Sequence, residues 1–147
     1  MGKELELFSS LFESHPNISI LNIHNRCDDI KVGLENIVNS IGGTLKYKDI
    51  NDIDQKRFRL TAREYEYVVV CDCLDKIEDM KRFIDQIYHS LENSAQIILI
   101  GKKEKSDPYS MLQILEEADF RAMNQIDIFE NYHLVMAKKM HMWGNGL

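Results

Sequence analysis

Residues 67–71 (YVVVC) and 96–100 (QIILI) are almost unbroken apolar runs rich in β-branched residues. A strand with one face in water alternates polar and apolar side chains, so a strand without alternation must be covered on both faces. Such strands belong at the centre of a mainly parallel sheet with helices packed on either side. Residues 18–24 (ISILNIH) form a further short apolar strand candidate, and residues 44–48 a weaker one.

The segments between these runs have helical spacing. Leu5, Phe8, Leu11 and Phe12 fall on one side of residues 3–14, which residues 15–17 (HPN) interrupt. Ile30, Leu34, Ile37, Val38 and Ile41 make a narrow helical stripe, with Asp28 or Asp29 placed to cap it and Gly42-Gly43 to end it. Met80, Phe83, Ile84, Ile87, Tyr88 and Leu91 form the strongest stripe of the chain. Met111, Leu112, Leu115 and Ala118 follow Asp107-Pro108, a cap and a first helical residue. Residues 51–62 are polar and read as irregular or helical. The last stretch reads as strands over 122–129 and 132–138, joined at Glu130-Asn131 as an antiparallel hairpin. The expectation is a single α/β domain over residues 1–147, a three-layer sandwich whose mostly parallel sheet ends in that hairpin.

Charge and composition narrow the function. A net charge of -6 disfavours a general nucleic-acid binder, because phosphate contacts need a basic face. No apolar run reaches the roughly 18–20 residues that cross a bilayer. The first residues lack the apolar stretch of a secretory signal, and Glu6 rules out the myristoylation pattern that Gly2 invites. The expected location is therefore the cytoplasm, and Cys27, Cys71 and Cys73 are expected as reduced thiols. His24 and the cysteines carry donor atoms that suit zinc, but without paired CxxC spacing no metal site is expected.

Residues 65–79 (YEYVVVCDCLDKIED), 115–120 (LEEADF) and 132–139 (YHLVMAKK) stand in an order and at spacings that resemble the class I S-adenosylmethionine (SAM) methyltransferases. In that family the fourth strand and its exit often read YDYVVLCDVLEHIxD. The helix after the fifth strand ends in LxxAGF, and the last strand in YxLVxAKK. Lys76 replaces the family's His, and Asp119 its Gly. The resemblance covers about residues 65–139 and implies a Rossmann-like methyltransferase-type sandwich with SAM as its cofactor.

The family's first strand usually runs into a glycine-rich turn, VLDIGCGxG, where the backbone approaches the donor closely. The aligned stretch here is residues 20–28 (ILNIHNRCD): Asn22 replaces the usual acid, and His24, Arg26 and Asp28 stand where glycines would. Asp49 is the best carboxylate at a strand end to hold the donor's ribose, and Asp72 the best contact after the fourth strand. The short distance from Lys48 to Tyr65 implies that either the second or the third strand is missing. The resemblance thus marks Asn22, His24, Arg26, Asp28, Asp49 and Asp72 as the cofactor edge and names no catalytic base.

Three functions fit. One is a non-catalytic descendant with degraded SAM binding, acting on a protein partner or as a homodimer. A second is an active SAM-dependent methyltransferase on a small molecule or protein. A third is a binder of another small anionic ligand at the old cofactor edge, through the planar fork of Arg26 or the basic loop at residues 102–105. The lost glycines also suggest an Arg26–Asp72 ion pair that fills the pocket. The apolar residues 140–143 are expected to cover the sheet or to meet another copy.

Overall fold

The computed structural model describes residues 2–12 and 17–140; the break expected at 15–17 and the apolar tail fall largely outside them. In chain order the elements are α1 (Gly2–Ser9), β1 (Ser19–His24), α2 (Asp28–Ile41), β2 (Thr44–Asp49), β3 (Tyr65–Cys71), α3 (Met80–Ser90), β4 (Leu91–Lys102), α4 (Pro108–Glu117), β5 (Arg121–Gln125) and β6 (Tyr132–Lys138). They form one six-stranded sheet in the order β2-β1-β3-β4-β6-β5. The first four strands are parallel, while β6 runs antiparallel to both β4 and β5.

The unbroken apolar runs occupy the sheet's centre, as their composition demands. Along β1, β3 and β4, successive side chains enter opposite cores. Leu21, Ile23, Val68, Val70, Ile97 and Leu99 pack with Phe83, Ile84 and Ile87 of α3 and with Met111 and Leu115 of α4. Ile20, Tyr67, Val69, Ile98 and Ile100 pack on the other side with Phe8 of α1 and with Ile30, Leu34, Ile37 and Val38 of α2. The helical stripes read from the sequence are the faces these helices bury.

Strand β2 pairs with β1 along its whole length, from Ser19↔Thr44 to His24↔Asp49. It therefore occupies the second-strand position, and no third strand lies outside it among the described residues. Instead, short 3-10 turns at Ile50–Asp52 and Gln55–Arg57 carry the chain to β3. As an edge strand β2 is half in water, and its exposed Lys46 and Lys48 discourage edge-to-edge pairing.

Several local expectations are corrected. Helix α1 stops at Ser9. The N-cap of α2 is Cys27, with Asp28 and Asp29 inside the first turn, where their charge meets the positive end of the helix. The strands of the C-terminal pair are not joined by a tight turn at 130–131. Strand β5 ends at Gln125; the Ile126 N–H still donates to the Leu134 carbonyl of β6 at 3.0 Å, and Ile128 and Phe129 then pack against the core on the α1 side, where the Phe129 ring lies 5.6 Å from that of Phe8. The cap at Asp107 is as read, its carboxylate accepting the Tyr109 backbone N–H at 3.2 Å, and Asp79 caps α3 in the same way, accepting the Arg82 N–H at 3.1 Å.

The glycine pair after α2 divides its work. Gly42 takes the left-handed conformation (φ 76°), while a Cβ on Gly43 would run into the carbonyl oxygen and side chain of Ile18. Asparagine tolerates the left-handed region, whereas backbone cannot yield to a methyl. Gly42→Asn is expected to be nearly neutral and Gly43→Ala to cost about 2 kcal/mol or more in urea denaturation. Equal costs would mean that the close approach to Ile18 does not govern this turn.

Candidate functional site

The order β2-β1-β3 creates the fold's switch point: the chain leaves β1 toward one side to form β2, then crosses back to form β3 on the other. Open α/β sheets take their ligands beyond the carboxyl ends of the strands at such a point. Here that edge is built from residues 24–28, 49–52, 72–76 and 101–105.

The exit of β1 is tied to the end of β3 in two ways. The backbone N–H of Asn25 donates to the Cys71 carbonyl at 3.1 Å, and Cys27 is disulfide-bonded to Cys71. The end of β3 is tied in turn to β4, since the Asp72 N–H donates to the Ile100 carbonyl at 2.7 Å. The reduced thiols expected from the sequence are thus corrected for Cys27 and Cys71, which meet because parallel β1 and β3 end side by side.

Two residues at this edge hold left-handed backbones without being glycine: Arg26 at φ 58° and Asp72 at φ 56°. For an L-residue this conformation costs roughly 1–2 kcal/mol, and surrounding contacts must impose it. Of the three positions where glycines were expected after the first strand, only Arg26 needs the conformation; His24 and Asp28 do not. Asp119, another residue at a glycine position, also keeps a left-handed backbone, at φ 70°.

The turn at Asp72 also separates two cysteines that strand alternation would place on one face. Cys71 joins the core on the α1 side, and Cys73 enters the opposite core, where its thiol reaches the Ile23 carbonyl at 3.9 Å. Burial, followed by the negative charges of Asp72, Asp75 and Asp49, pushes the Cys73 thiol up to about 12. Cys27 and Cys71 therefore meet as expected while Cys73 lies in the opposite core, and the described residues contain no cluster of metal-ligating side chains.

The remaining marked residues separate into different surroundings. Asn22 is fully buried within the sheet; its amide donates to the Val69 carbonyl at 3.0 Å, and its side-chain oxygen accepts no hydrogen bond among the described residues. The His24 ring stands edge-on to Tyr47, centroids 6.2 Å apart. Asp28 is exposed on the first turn of α2. The Asp49 carboxylate accepts from the backbone N–H and the side-chain amide of Asn51, each at 2.9 Å. The backbone bond chiefly, with the amide and the charges of His24 and Arg26, holds the Asp49 carboxyl below the usual carboxylate range.

Asp72 does not pair with Arg26. Its buried carboxylate faces Lys105 at 3.4 Å and Lys102 at 3.6 Å, and Lys105 also reaches Asp75 at 3.8 Å. Arg26 and Asp72 instead share the walls of one open crevice of about 380 Å³, completed by Asn25, Asn51, Lys76, Lys102 and Lys105. Asp49 lines a neighbouring crevice of about 420 Å³. The two are linked because the Asn51 amide bonds both Asp49 and, at 3.2 Å, the side-chain oxygen of Asn25. Asn25 and Asn51 lie within the strand-exit stretches 24–29 and 48–52 that the sequence points to, but neither is singled out there as a contact. Their signal was position alone, since each lies just past the carboxyl end of a strand.

No protein-family model matches the chain, and no curated protein matches it in sequence. Solved structures do share its fold. A SAM-dependent methyltransferase from Aquifex aeolicus superposes with a TM-score of 0.74 at 11% identity, covering 92% of this chain and 89% of that one. Phosphoethanolamine N-methyltransferase 2 of Haemonchus contortus, in complex with SAM, gives 0.71 at 11% identity over 95% of this chain and 53% of its own. Human N-acetylserotonin methyltransferase with SAM gives 0.66 at 11% identity over 94% and 52%. This chain therefore spans about half the length of the last two. The fold is the Rossmann-like one of the class I SAM-dependent methyltransferases. Among the described residues no helix is long and apolar enough to cross a membrane.

The disulfide and the buried thiol are separately testable. Closing a sequence separation of 44 residues is worth about 4 kcal/mol in the chain-entropy account. Reducing agent is therefore expected to lower the urea midpoint markedly in the wild type, while leaving a Cys27→Ser, Cys71→Ser double variant unmoved. A midpoint indifferent to reductant would show that the bond is not made in solution. Cys73 in the native protein is expected to resist alkylation at neutral pH and to react quickly in denaturant, because the thiolate is the nucleophile. Rapid labelling of the native state would contradict its burial.

Proposed function

We propose that this chain is a non-catalytic methyltransferase-fold domain that has given up the methyl donor and acts by binding at the carboxyl edge of its sheet. The observation that carries this reading is the exit of β1. There a left-handed arginine stands at a glycine position, and the loop is bonded through Cys27 to the end of β3. A donor lying along this loop in the family's pose would meet the Arg26 side chain where only backbone is usually present. Beyond it, the Asp72 carboxylate is already engaged by Lys102 and Lys105. Those lysines also disfavour a ligand whose reactive centre is a sulfonium cation. The residues present therefore fit the donor poorly over its amino-acid portion.

A protein partner or a second copy would be met through surface that the ligand edge does not use. The exposed large apolar side chains among the described residues are Leu7 of α1, Val32 of α2, Tyr109 of α4 and Met140 after β6.

One observation favours the catalytic alternative. Asp49 ends β2 where a ribose-binding acid would stand, and Asn51 keeps its carboxylate oriented and ionised. Isothermal calorimetry with SAM and with S-adenosylhomocysteine, at two temperatures, decides between the readings. The expected result is no binding up to millimolar ligand. Micromolar binding abolished by Asp49→Ala would overturn the loss of the donor, restore the methyltransferase reading and turn the search toward a methyl acceptor.

A further inference from the structure

We propose that the crevice between the ends of β1, β3 and β4 is a binding site for the phosphoryl group of a small molecule. The inference rests on the reading above, that the methyl donor is not the ligand of this edge, and names the chemistry that takes its place.

Charge is the first argument. In a chain of net charge -6, this crevice gathers Arg26, Lys76, Lys102 and Lys105 with one carboxylate, Asp72, in its lining, while Asp75 meets Lys105 from outside it at 3.8 Å and Asp49 lies in the neighbouring crevice. The cations come from three separate loops, so folding has to assemble them. Like charges are costly to bring together unless an anion joins them. Asp72 does this in part. It faces Lys105 at 3.4 Å and Lys102 at 3.6 Å, longer than the roughly 2.7–2.9 Å of a close charge-assisted bond. The two ammonium groups are thus gathered at the crevice with hydrogen-bonding capacity left over. Arg26 and Lys76 make no ion pair among the described residues, and the Asn25 amide nitrogen donates to none of them.

Geometry is the second argument. Arg26 stands in a strained left-handed conformation at the lip of the crevice, beside a disulfide that fixes its loop. Strain held in place by a cross-link fixes the Arg26 backbone at the lip, from which its side chain lines the crevice. A guanidinium presents a planar fork that matches a phosphate edge, and ammonium groups on the far side serve as point charges. A monocarboxylate would use the fork and leave the lysines unmatched. A phosphoryl dianion or a diphosphate offers oxygens to both walls.

Asp72 then has an unusual role. It organises Lys102 and Lys105 in the free protein, yet it repels the ligand. The chemistry therefore makes opposite predictions for two sets of variants. Arg26→Ala and Lys105→Ala, both at exposed positions, should weaken binding about tenfold each, the scale of a charge-assisted contact. Asp72→Asn should tighten it roughly threefold to tenfold, by removing a competing charge while keeping a residue that tolerates a left-handed backbone.

The experiment uses the oxidised full chain at low salt, titrated with inorganic phosphate and with pyrophosphate, and with acetate as the monocarboxylate control. Heats and backbone amide shifts are both followed, and circular dichroism checks each variant's fold. Pyrophosphate is expected to bind below millimolar, more tightly than phosphate, and to shift the amides of Asn25, Arg26, Asp72 and the 102–105 loop. Added salt should weaken it, and acetate should not compete. Absence of binding at millimolar pyrophosphate would overturn the proposal, as would binding indifferent to Arg26→Ala and Lys105→Ala or weakened by Asp72→Asn. SAM titrated in the same series separates the two readings. SAM binding defeats the loss of the donor, whereas silence from both ligands defeats only the phosphoryl site.

Discussion

Burial of β3 on both faces is the constraint from which the rest of this molecule follows. Val68 and Val70 pack into one core, and Tyr67, Val69 and Cys71 into the other. A strand so covered has no solvent to satisfy its backbone, so it must be hydrogen-bonded along both edges. Strands β1 and β4 supply those edges in parallel register, which brings His24, Cys71 and Ile100 to one level. The functional edge begins at that level. The backbone bonds from Asn25 to Cys71 and from Asp72 to Ile100 are the first contacts beyond it.

The same alignment ties the edge together although glycines are absent from the exit of β1. Arg26 and Asp72 face each other across the crevice in left-handed conformations, each next to a cysteine of the bridged pair. Without that bridge and the neighbouring backbone bonds, relaxation of either turn would recover conformational energy. The cross-link converts two locally unfavourable turns into a defined wall. Its position explains how the backbone path of a glycine turn persists with an arginine in it.

Much of this was legible in the residues and some was not. The helical stripes around Phe83 and Leu34 and the unalternating runs around Val69 and Ile98 encode burial, and burial is what the sheet and its covering helices satisfy. Asp107 was legible as a cap because capping is a local bond. The Arg26–Asp72 pair was inferred from the lost glycines and the nearness of the two loops in such a fold, but Lys102 and Lys105 take Asp72, because β4 lies directly beside β3 and carries both lysines to its end. The placement of Cys73 away from Cys71 was hidden because a left-handed turn at Asp72 breaks the alternation that spacing assumes. Asn25 and Asn51 carried no composition signal and became visible only when two strand ends were adjacent.

The sequence by itself determined the layers, the order of helices and strands, and the cap at Asp107, because each depends on periodicity or on bonds between near neighbours. Tertiary structure decided that the third strand is the one lost, since only pairing can show that Thr44–Asp49 lies directly on β1. It decided which cysteines join, and it gathered basic residues from separate loops into one crevice around Asp72. Charges far apart in the chain interact only through the space that the fold encloses, and no pattern along the chain records that distance.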